Sequence, residues 1–522
     1  MSDLHFSPYD TAIFKDPYPT LKRLREEAPV YYNEVDDFYA LSRYDDVRAA
    51  LKDHETFSSA RGDILELIKL GAPLPPGTFI MEDPPEHTVH RALVQKIFAP
   101  RRMLELETSI RKITQDCLDQ IVGREEFDFI ADIGAQIPMR VIGALLGIPE
   151  SDYAAVRDSV DARLTTDEGK KMDLPEGDYG IQIDESFGDY IDWRIREPAD
   201  DVISELLAVR FTDEKGIERN LSREEILTFV NVLAGAGNET TNKVIGWTGK
   251  LLAEHPEQRA MLVANPALIP DAIEEILRFE TPGPAISRYV AQDITLHGVT
   301  IPAGSATMLL VASANRDADF FDNADRFDIT RERSAHTTFG YGIHTCVGNV
   351  LARTELRVVI EELLLRFPEW DVDLDNASLL NTSTVRGWET LPAYTSPAGL
   401  ALQRARRQAE IDSQRGHGLS TPELAGQWLV SIKGPTGAMD SALSLSYQDG
   451  SLSGVQSGDG EDNEIDSIDY DEATGEITWV NKISKPMKMT LTLSGSFNAQ
   501  GEIEGKVKAG MMGKWDFVAR KE

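Results

Sequence analysis

The sequence predicts a mostly α-helical domain with a minor β-sheet subdomain, followed by a C-terminal all-β module of up-and-down barrel or sandwich type. Three observations carry this. From 104 to 265 apolar residues recur at helical spacing, broken by turn signals at Gly123, Gly147-Ile148-Pro149, Gly169 and Gly216. Short alternating runs flank that region, at 30–41 and 294–312. After Thr421 the composition changes to alternating runs, about eight in roughly a hundred residues, joined by turns such as Gln448-Asp449-Gly450 and Ala473-Thr474-Gly475. The expected division is 1–397, a linker with a short helix at 398–420, and the β module at 421–522.

In chain order, Asp16-Pro17-Tyr18-Pro19 opens a helix through Glu27, and 30–32 with 38–41 read as a hairpin. Residues 61–80 read as an apolar loop ending in Pro73-Leu74-Pro75-Pro76-Gly77, long enough to cover a site. Pro84-Pro85 then precede a helix on which His87 and Arg91, four apart, share a face. Ser222 and Glu225 form the capping-box pattern of a helix running to Glu254, with Gly235 and Gly237 in its interior at about 1 kcal/mol each relative to alanine. Glu275 and Arg278 lie one turn apart on the next helix. A stiff stretch from Thr281 to Pro284 leads to Arg288, then a hairpin at 294–304 and a strand at 306–312. A glycine-punctuated loop, Phe339-Gly340-Tyr341-Gly342-Ile343-His344-Thr345-Cys346-Val347-Gly348, runs into a helix from Asn349 to Arg366. Free N–H groups and the positive dipole end at that helix start favour a thiolate at Cys346; a buried structural cysteine is the plainer reading.

Composition narrows the function. The 522 residues carry a formal charge of −34, which excludes general nucleic-acid binding. Two cysteines, Cys117 and Cys346, build neither a disulfide framework nor a zinc cluster. The N-terminus has no basic and apolar leader, and no apolar run reaches the ~18 residues of a membrane span, so a cytoplasmic protein without a membrane anchor is expected. Basic residues cluster at Arg101, Arg102, Arg353 and Arg357.

The loop 339–348 resembles the haem-binding loop of the cytochrome P-450 superfamily, Phe-x-x-Gly-x-His/Arg-x-Cys-x-Gly. Ala236-Gly237-Asn238-Glu239-Thr240 is similar to its oxygen-binding motif, Asp83 to Arg91 to its Asp-Pro-Pro-x-His-x-x-x-Arg helix, and Glu275-x-x-Arg278 to its buried ion pair. Residues from about 8 to about 397 follow the family order. The resemblance implies haem b (iron protoporphyrin IX) with Cys346 as axial ligand. It implies haem contacts at Ala236, Gly237, Phe339, Gly340 and Gly348, and propionate binding by His87, Arg91, Arg288 and His344. Thr240 and Glu239 would handle the protons that oxygen cleavage consumes; Thr240 bonding back to its own helix is the alternative. Glu275 and Arg278 would be joined by Arg331, chosen over Arg326. Ile80, Val230, Ala234, Ala285, Ile286 and Trp388 would line a substrate pocket, with Arg386 or Glu389 reading a polar group.

The activity implied is that of a bacterial-type monooxygenase. It would insert one oxygen atom from O2 into an apolar small molecule (a terpene, steroid, fatty acid or aromatic) by hydroxylation or epoxidation. The β module has no cysteine for an iron–sulfur cluster and lacks the length of a flavin reductase, so electrons would come from a separate ferredoxin or flavodoxin with its reductase, docking on the basic cluster. The module itself reads as a binding or assembly unit. A haem-thiolate sensor or ligand carrier, with the β module as effector, is the alternative from another class.

Overall fold

The computed structural model describes residues 4–521 apart from 165–170, 172–178, 180, 182, 333–334, 381–384, 397–419, 435–436, 449–450, 459–460, 472–474, 484–488, 499–500 and 510–513. The chain divides into two compact units, Met1–Leu400 and Ala401–Glu522. The expected linker and short helix at 398–420 lie outside the described residues except Ser420, as do Gly169 and the turn residues 449–450 and 473–474.

The first unit is built around one helix, Arg223–Glu254, whose residues are buried along most of its 32-residue length. Its start is capped reciprocally: Ser222 Oγ accepts from the Glu225 N–H at 3.1 Å, and the Glu225 carboxylate accepts from the Ser222 N–H at 2.7 Å. Ile137–Leu146, Ser186–Arg196, Ile269–Phe279 and Asn349–Arg366 pack around it to form the main core, which includes Phe129, Phe229, Trp247 and Trp370. The minor β part is a five-stranded sheet in the order Val30–Asn33, Phe38–Leu41, Ala306–Leu309, Ile286–Val290, Phe57–Ser58. The hairpin Ile294–Leu296/Val299–Ile301 turns at His297 and Gly298, both with positive φ (49° and 78°), the conformation a two-residue turn demands.

Three expectations need correction here. Residues 61–80 are not all loop: Leu65–Leu70 is a helix, with Leu65 and Ile68, one turn apart, in one apolar cluster and Leu67 in another. The strand expected over 306–312 ends at Leu309, and Val311–Ala314 is helical. One stretch, Phe129–Leu146, does reach membrane-spanning length and a mean hydropathy of 1.4, but 67% of it is buried inside the protein, as a core helix is.

The second unit is a closed eight-stranded barrel, so the sandwich alternative falls away. Gly426–Gly434, Gly437–Gln448, Ser451–Gly458, Glu461–Asp471, Glu476–Ile483, Met489–Phe497, Ile503–Ala509 and Lys514–Lys521 pair with their sequence neighbours, and the first pairs with the last, Val430 opposite Ala519. Closure removes the exposed sheet edges that a meander of this length would otherwise present. Alternate residues (Trp428, Leu443, Trp479, Leu493, Phe497, Phe517) face the interior and pack into one apolar cluster.

Candidate active site

The cysteine loop is held by its own backbone. The Cys346 N–H donates to the Phe339 carbonyl and the Gly340 N–H to the Thr337 carbonyl, both at 2.8 Å. Asn349 Nδ2 donates to the Cys346 carbonyl at 2.6 Å. Gly342 has φ +78°, and a β-carbon there would lie 2.9 Å from the Leu51 carbonyl oxygen, so only glycine lets the loop rest on the helix Tyr44–Lys52. The thiol of Cys346 is nonetheless raised above its ordinary pKa by burial; the Gly348 N–H, Arg91 and Arg353 act the other way without prevailing. The helix start alone therefore does not make the thiolate that its position suggests. Deprotonation has to accompany metal ligation.

Around this loop four cationic or imidazole side chains converge. His87 and Arg91 come from the helix Glu86–Ile97, Arg288 from the strand Ile286–Val290, and His344 from the loop. The His87 and His344 rings lie 4.3 Å apart. The Arg91 guanidinium donates to the Thr345 carbonyl, and Arg288 Nη1 donates to the Ser287 carbonyl at 2.9 Å. Nε2 of His87, Nε2 of His344 and Nε of Arg91 are buried with no hydrogen-bond partner. Burial, then Arg91, pulls the His87 pKa down to about 4. Burial, then Arg288, His87 and Arg91, pulls His344 down to about 3. Donors with unmet partners and mutual repulsion call for an anion among them. The two carboxylates of a haem supply that, and one thiolate beside them supplies an iron ligand, so the residues fit the cofactor. Among the described residues no group of three or more His, Cys, Asp or Glu offers a different metal site.

On the long helix, Thr240 Oγ1 donates to the Ala236 carbonyl at 2.8 Å, the local bond left open by the sequence. Glu239 is buried, 3% exposed. A β-carbon on Gly237 would make ordinary contact with Ile142 at 3.4 Å, and one on Gly235 would meet nothing. The helix is α-helical throughout, so these glycines mark no break.

This chain is 38% identical over 398 residues to the vitamin D(3) 25-hydroxylase of Pseudonocardia autotrophica, covering 74% of this chain and 96% of that protein. Cytochrome P450 130 of Mycobacterium tuberculosis is 34% identical over 368 residues, 68% of this chain and 89% of its own. The family model for cytochrome P450 matches residues 190–384. The chain belongs to the cytochrome P450 family. Among solved structures, CYP109E1 from Bacillus megaterium in complex with testosterone superposes with a TM-score of 0.66 at 30% identity, covering 74% of this chain and all of that one. The protein is thus a P450 monooxygenase, an oxidoreductase that uses haem, O2 and a redox partner.

Within this P450 fold a buried ion network braces the cysteine loop. Arg278 Nε and Nη2 donate to Glu275 at 2.7 and 2.8 Å, and Arg331 Nε donates to the same carboxylate at 3.0 Å. Arg278 Nη1 also reaches the Asn315 and Ala324 carbonyls, each at 2.8 Å. Arg326 offers only its carbonyl, and its side chain is 73% exposed. A second bracket has no motif signal: Glu274 accepts from Arg353 at 2.6 and 2.9 Å and lies 3.1 Å from His336 Nε2, while the Arg353 guanidinium stacks on Phe339 at 4.3 Å. Burial would raise Glu274, but Arg353 and His336 outweigh it and hold it at about 2. Asp63 is likewise missed by the motifs. Its carbonyl accepts from the Ser287 N–H at 2.8 Å, its carboxyl is raised by burial, and Arg288 opposes that rise.

Of the basic cluster expected to face a redox partner, Arg353, Arg357 and Arg102 are partly covered and paired within the chain, whereas Arg101 is 92% exposed. Arg353 is committed to Glu274, Arg357 to Glu107 at 2.5 Å, Arg102 to Glu205 at 2.6 Å and Arg101 to Glu105 at 3.0 Å. Arg386 does not read a ligand. It is buried and donates to Glu280 at 2.8 Å and to the Phe14 and Lys15 carbonyls at 2.9 and 2.8 Å. Glu389 accepts from Ser378 at 3.1 Å. Of the six pocket candidates, Ile80, Ala285 and Ile286 are half-buried, whereas Val230 and Ala234 are fully covered by protein. Trp388 packs on Trp247, with ring centroids 5.2 Å apart, and its carbonyl accepts from Lys243 Nζ at 3.3 Å, which makes it a core side chain.

His90, one residue before Arg91, is found only in the structure. Its Nδ1 lies 2.8 Å from Glu82 and its Nε2 3.7 Å from Glu225, which Arg219 also clasps at 2.8 Å. Burial alone would lower its pKa; the carboxylates of Glu225 and Glu82 outweigh burial and push it up to about 9. Since this exceeds the ordinary ~6.5, the charged ring stabilises the fold fully below about pH 6.5, and that stability is lost as pH rises through about 9, by at most about 1.4 kcal/mol per pH unit. Thermal midpoints across that window should fall more steeply for the native protein than for His90→Phe. Parallel curves would refute the assignment.

Proposed function

We propose that the protein inserts one oxygen atom from O2 into a C–H or C=C bond of an apolar small molecule. It would hold haem b at Cys346 and draw electrons in the cytoplasm from a separate ferredoxin or flavodoxin and its reductase. The supporting observation is the convergence of His87, Arg91, Arg288 and His344, with three buried nitrogens lacking partners, beside a single cysteine. Bound haem supplies the iron chemistry that cleaves dioxygen. The chain's own work is to hold and to shield. Cys346 anchors the iron. The Arg91 and Arg288 guanidinium groups would take the propionates with charge-assisted hydrogen bonds, and the His87 and His344 imidazoles would donate to them through ring N–H groups. Thr240 Oγ1 carries a proton that can turn from the Ala236 carbonyl toward the oxygen side, and Glu239 lies next to it in sequence as the proton reserve. Ile80, Ala285 and Ile286 present half-buried apolar surface to a ligand. One relative is a vitamin D(3) 25-hydroxylase and one similar structure holds testosterone, and a mostly apolar ligand of that kind suits these side chains.

The test supplies purified haem-loaded protein with a surrogate ferredoxin, its reductase, a reduced nicotinamide cofactor and 18O2, against a panel of steroids, terpenes, fatty acids and aromatics. A product carrying one 18O is expected. Tight binding with no oxygenated product from any panel member would favour the sensor or carrier reading instead.

A further inference from the structure

Along one seam of the β-barrel the strand pairing stops short, and a polar group lies behind it. The ladder between Ser451–Gly458 and Glu461–Asp471 runs only from Gly458 opposite Glu461 to Val455 opposite Glu464. Beyond that point, Ser451–Gly454 pair only with the preceding strand, and Ile465–Asp471 only with the following one, with a register shift between Ile465 and Ser467. The two strands thus part along one side of an otherwise continuous wall. Burial follows the parting. Leu452, Ile465, Ile468 and Tyr470 pack against the barrel core yet are only half-buried. Trp428, Leu443 and Leu493 on other strands are fully covered, while Leu491 and Trp515 are half-buried as well.

Two buried polar side chains stand among the barrel's described residues, Gln456 and Asn481, and no charged one does. Asn481 alternates inward with Ile477 and Trp479, and it lies opposite Ile465, the first residue past the end of the ladder. Gln456 Oε1 accepts from Trp479 Nε1 at 3.2 Å and from Asn481 Nδ2 at 3.3 Å, and Gln456 Nε2 donates to Ser441 Oγ at 2.8 Å. This network leaves one atom over: Asn481 Oδ1 is buried, in a residue 1% exposed, with no partner. An unmet buried acceptor is relieved only by a hydrogen-bond donor.

We propose that the barrel interior binds a neutral, mostly apolar molecule bearing a hydroxyl or comparable single donor, admitted between the strands 451–458 and 461–471, its donor on Asn481 Oδ1. The apolar side chains at the opening take the hydrocarbon part. The lack of a buried cation among the described residues disfavours a carboxylate ligand, whose charge would go unpaired. An apolar alcohol is also what oxygen insertion into an apolar C–H bond yields. Binding here needs no turnover by the haem unit, so it stands or falls separately from the oxygenase reading.

The test uses the full haem-loaded chain. Crystals grown with 10-bromodecan-1-ol locate the bromine by anomalous scattering, and titrations compare 1-decanol with decanoic acid in the native protein, Asn481→Leu and Trp479→Phe. Bromine is expected inside the barrel with the hydroxyl on Asn481. Decanol should quench the Trp479 share of the fluorescence while decanoate does not, and Asn481→Leu should weaken that response about tenfold. Should Asn481→Leu fail to fold, Ile465→Trp at the half-buried mouth should block decanol instead. Bromine only outside the barrel, a lone water on Asn481 in the presence of the alcohol, equal binding of decanoate, or decanol affinity unchanged by both variants would each overturn the proposal.

Discussion

A Cys346→Ser variant is expected to abolish oxygenation and to lose the strongly red-shifted Soret band that the native protein, reduced and exposed to carbon monoxide, should display. The shift arises because a thiolate pushes electron density onto the iron, which a serine hydroxyl cannot do. The loop itself should survive the change. Its shape comes from the Cys346 N–H to the Phe339 carbonyl, the Asn349 amide to the Cys346 carbonyl, and Gly342 against Leu51, none of which involves the sulfur. Loss of the band with thermal stability largely retained would therefore place the defect at the ligand. The other cysteine is a control: Cys117 is buried in the main core with its thiol raised by burial, and Cys117→Ala should leave the spectrum unchanged. A native protein whose band sits where histidine-ligated haem absorbs would sink the assignment of Cys346.

The second large effect is expected at Glu275. Its carboxylate, 3% exposed, receives both Arg278 and Arg331 and also accepts from the Asp328 N–H at 2.9 Å. Glu275→Ala strands two guanidinium groups, one of them fully enclosed. Breaking one side of a buried pair costs about 3–5 kcal/mol. Against a typical total of about 5–15 kcal/mol, that should leave a protein that is poorly folded or melts many degrees early. Arg331→Ala should cost less, because Arg278 still satisfies the carboxylate. Arg326→Ala, at an exposed side chain, should stay within about 0.5 kcal/mol. Chemical denaturation of the three variants, followed by haem absorbance and far-ultraviolet circular dichroism, ranks them. An Arg326 effect equal to that of Glu275 would contradict the network.

Much of this was legible in the chain because the signals are local. The capping box at Ser222 and Glu225 closes within one turn, and the pair Glu275–Arg278 needs only helical spacing to meet. Gly340 and Gly342 in the cysteine loop announce positive φ because other residues avoid it. Eight alternating runs in the β module require only a period of two. Membership of the P450 family rests on several such local patterns recurring in one order.

What stayed hidden depends on partners far away in sequence. Arg353, Arg357 and Arg386 look like surface or ligand-reading cations, since a long flexible side chain carries no record of where its charge goes. Folding delivers Glu274, Glu107 and Glu280 to them across intervals of 79, 250 and 106 residues. His90 is charged only because Glu82 and Glu225 arrive from two other elements. The balance at Cys346 is likewise collective: a helix start that favours the thiolate is visible in sequence, whereas the burial that overrides it is a property of every neighbour at once. By itself the sequence determined most of the elements and the family. The tertiary structure alone decided which charges are spent on one another, whether the β meander closes, and where its wall parts, because those depend on distances between segments that local spacing does not encode.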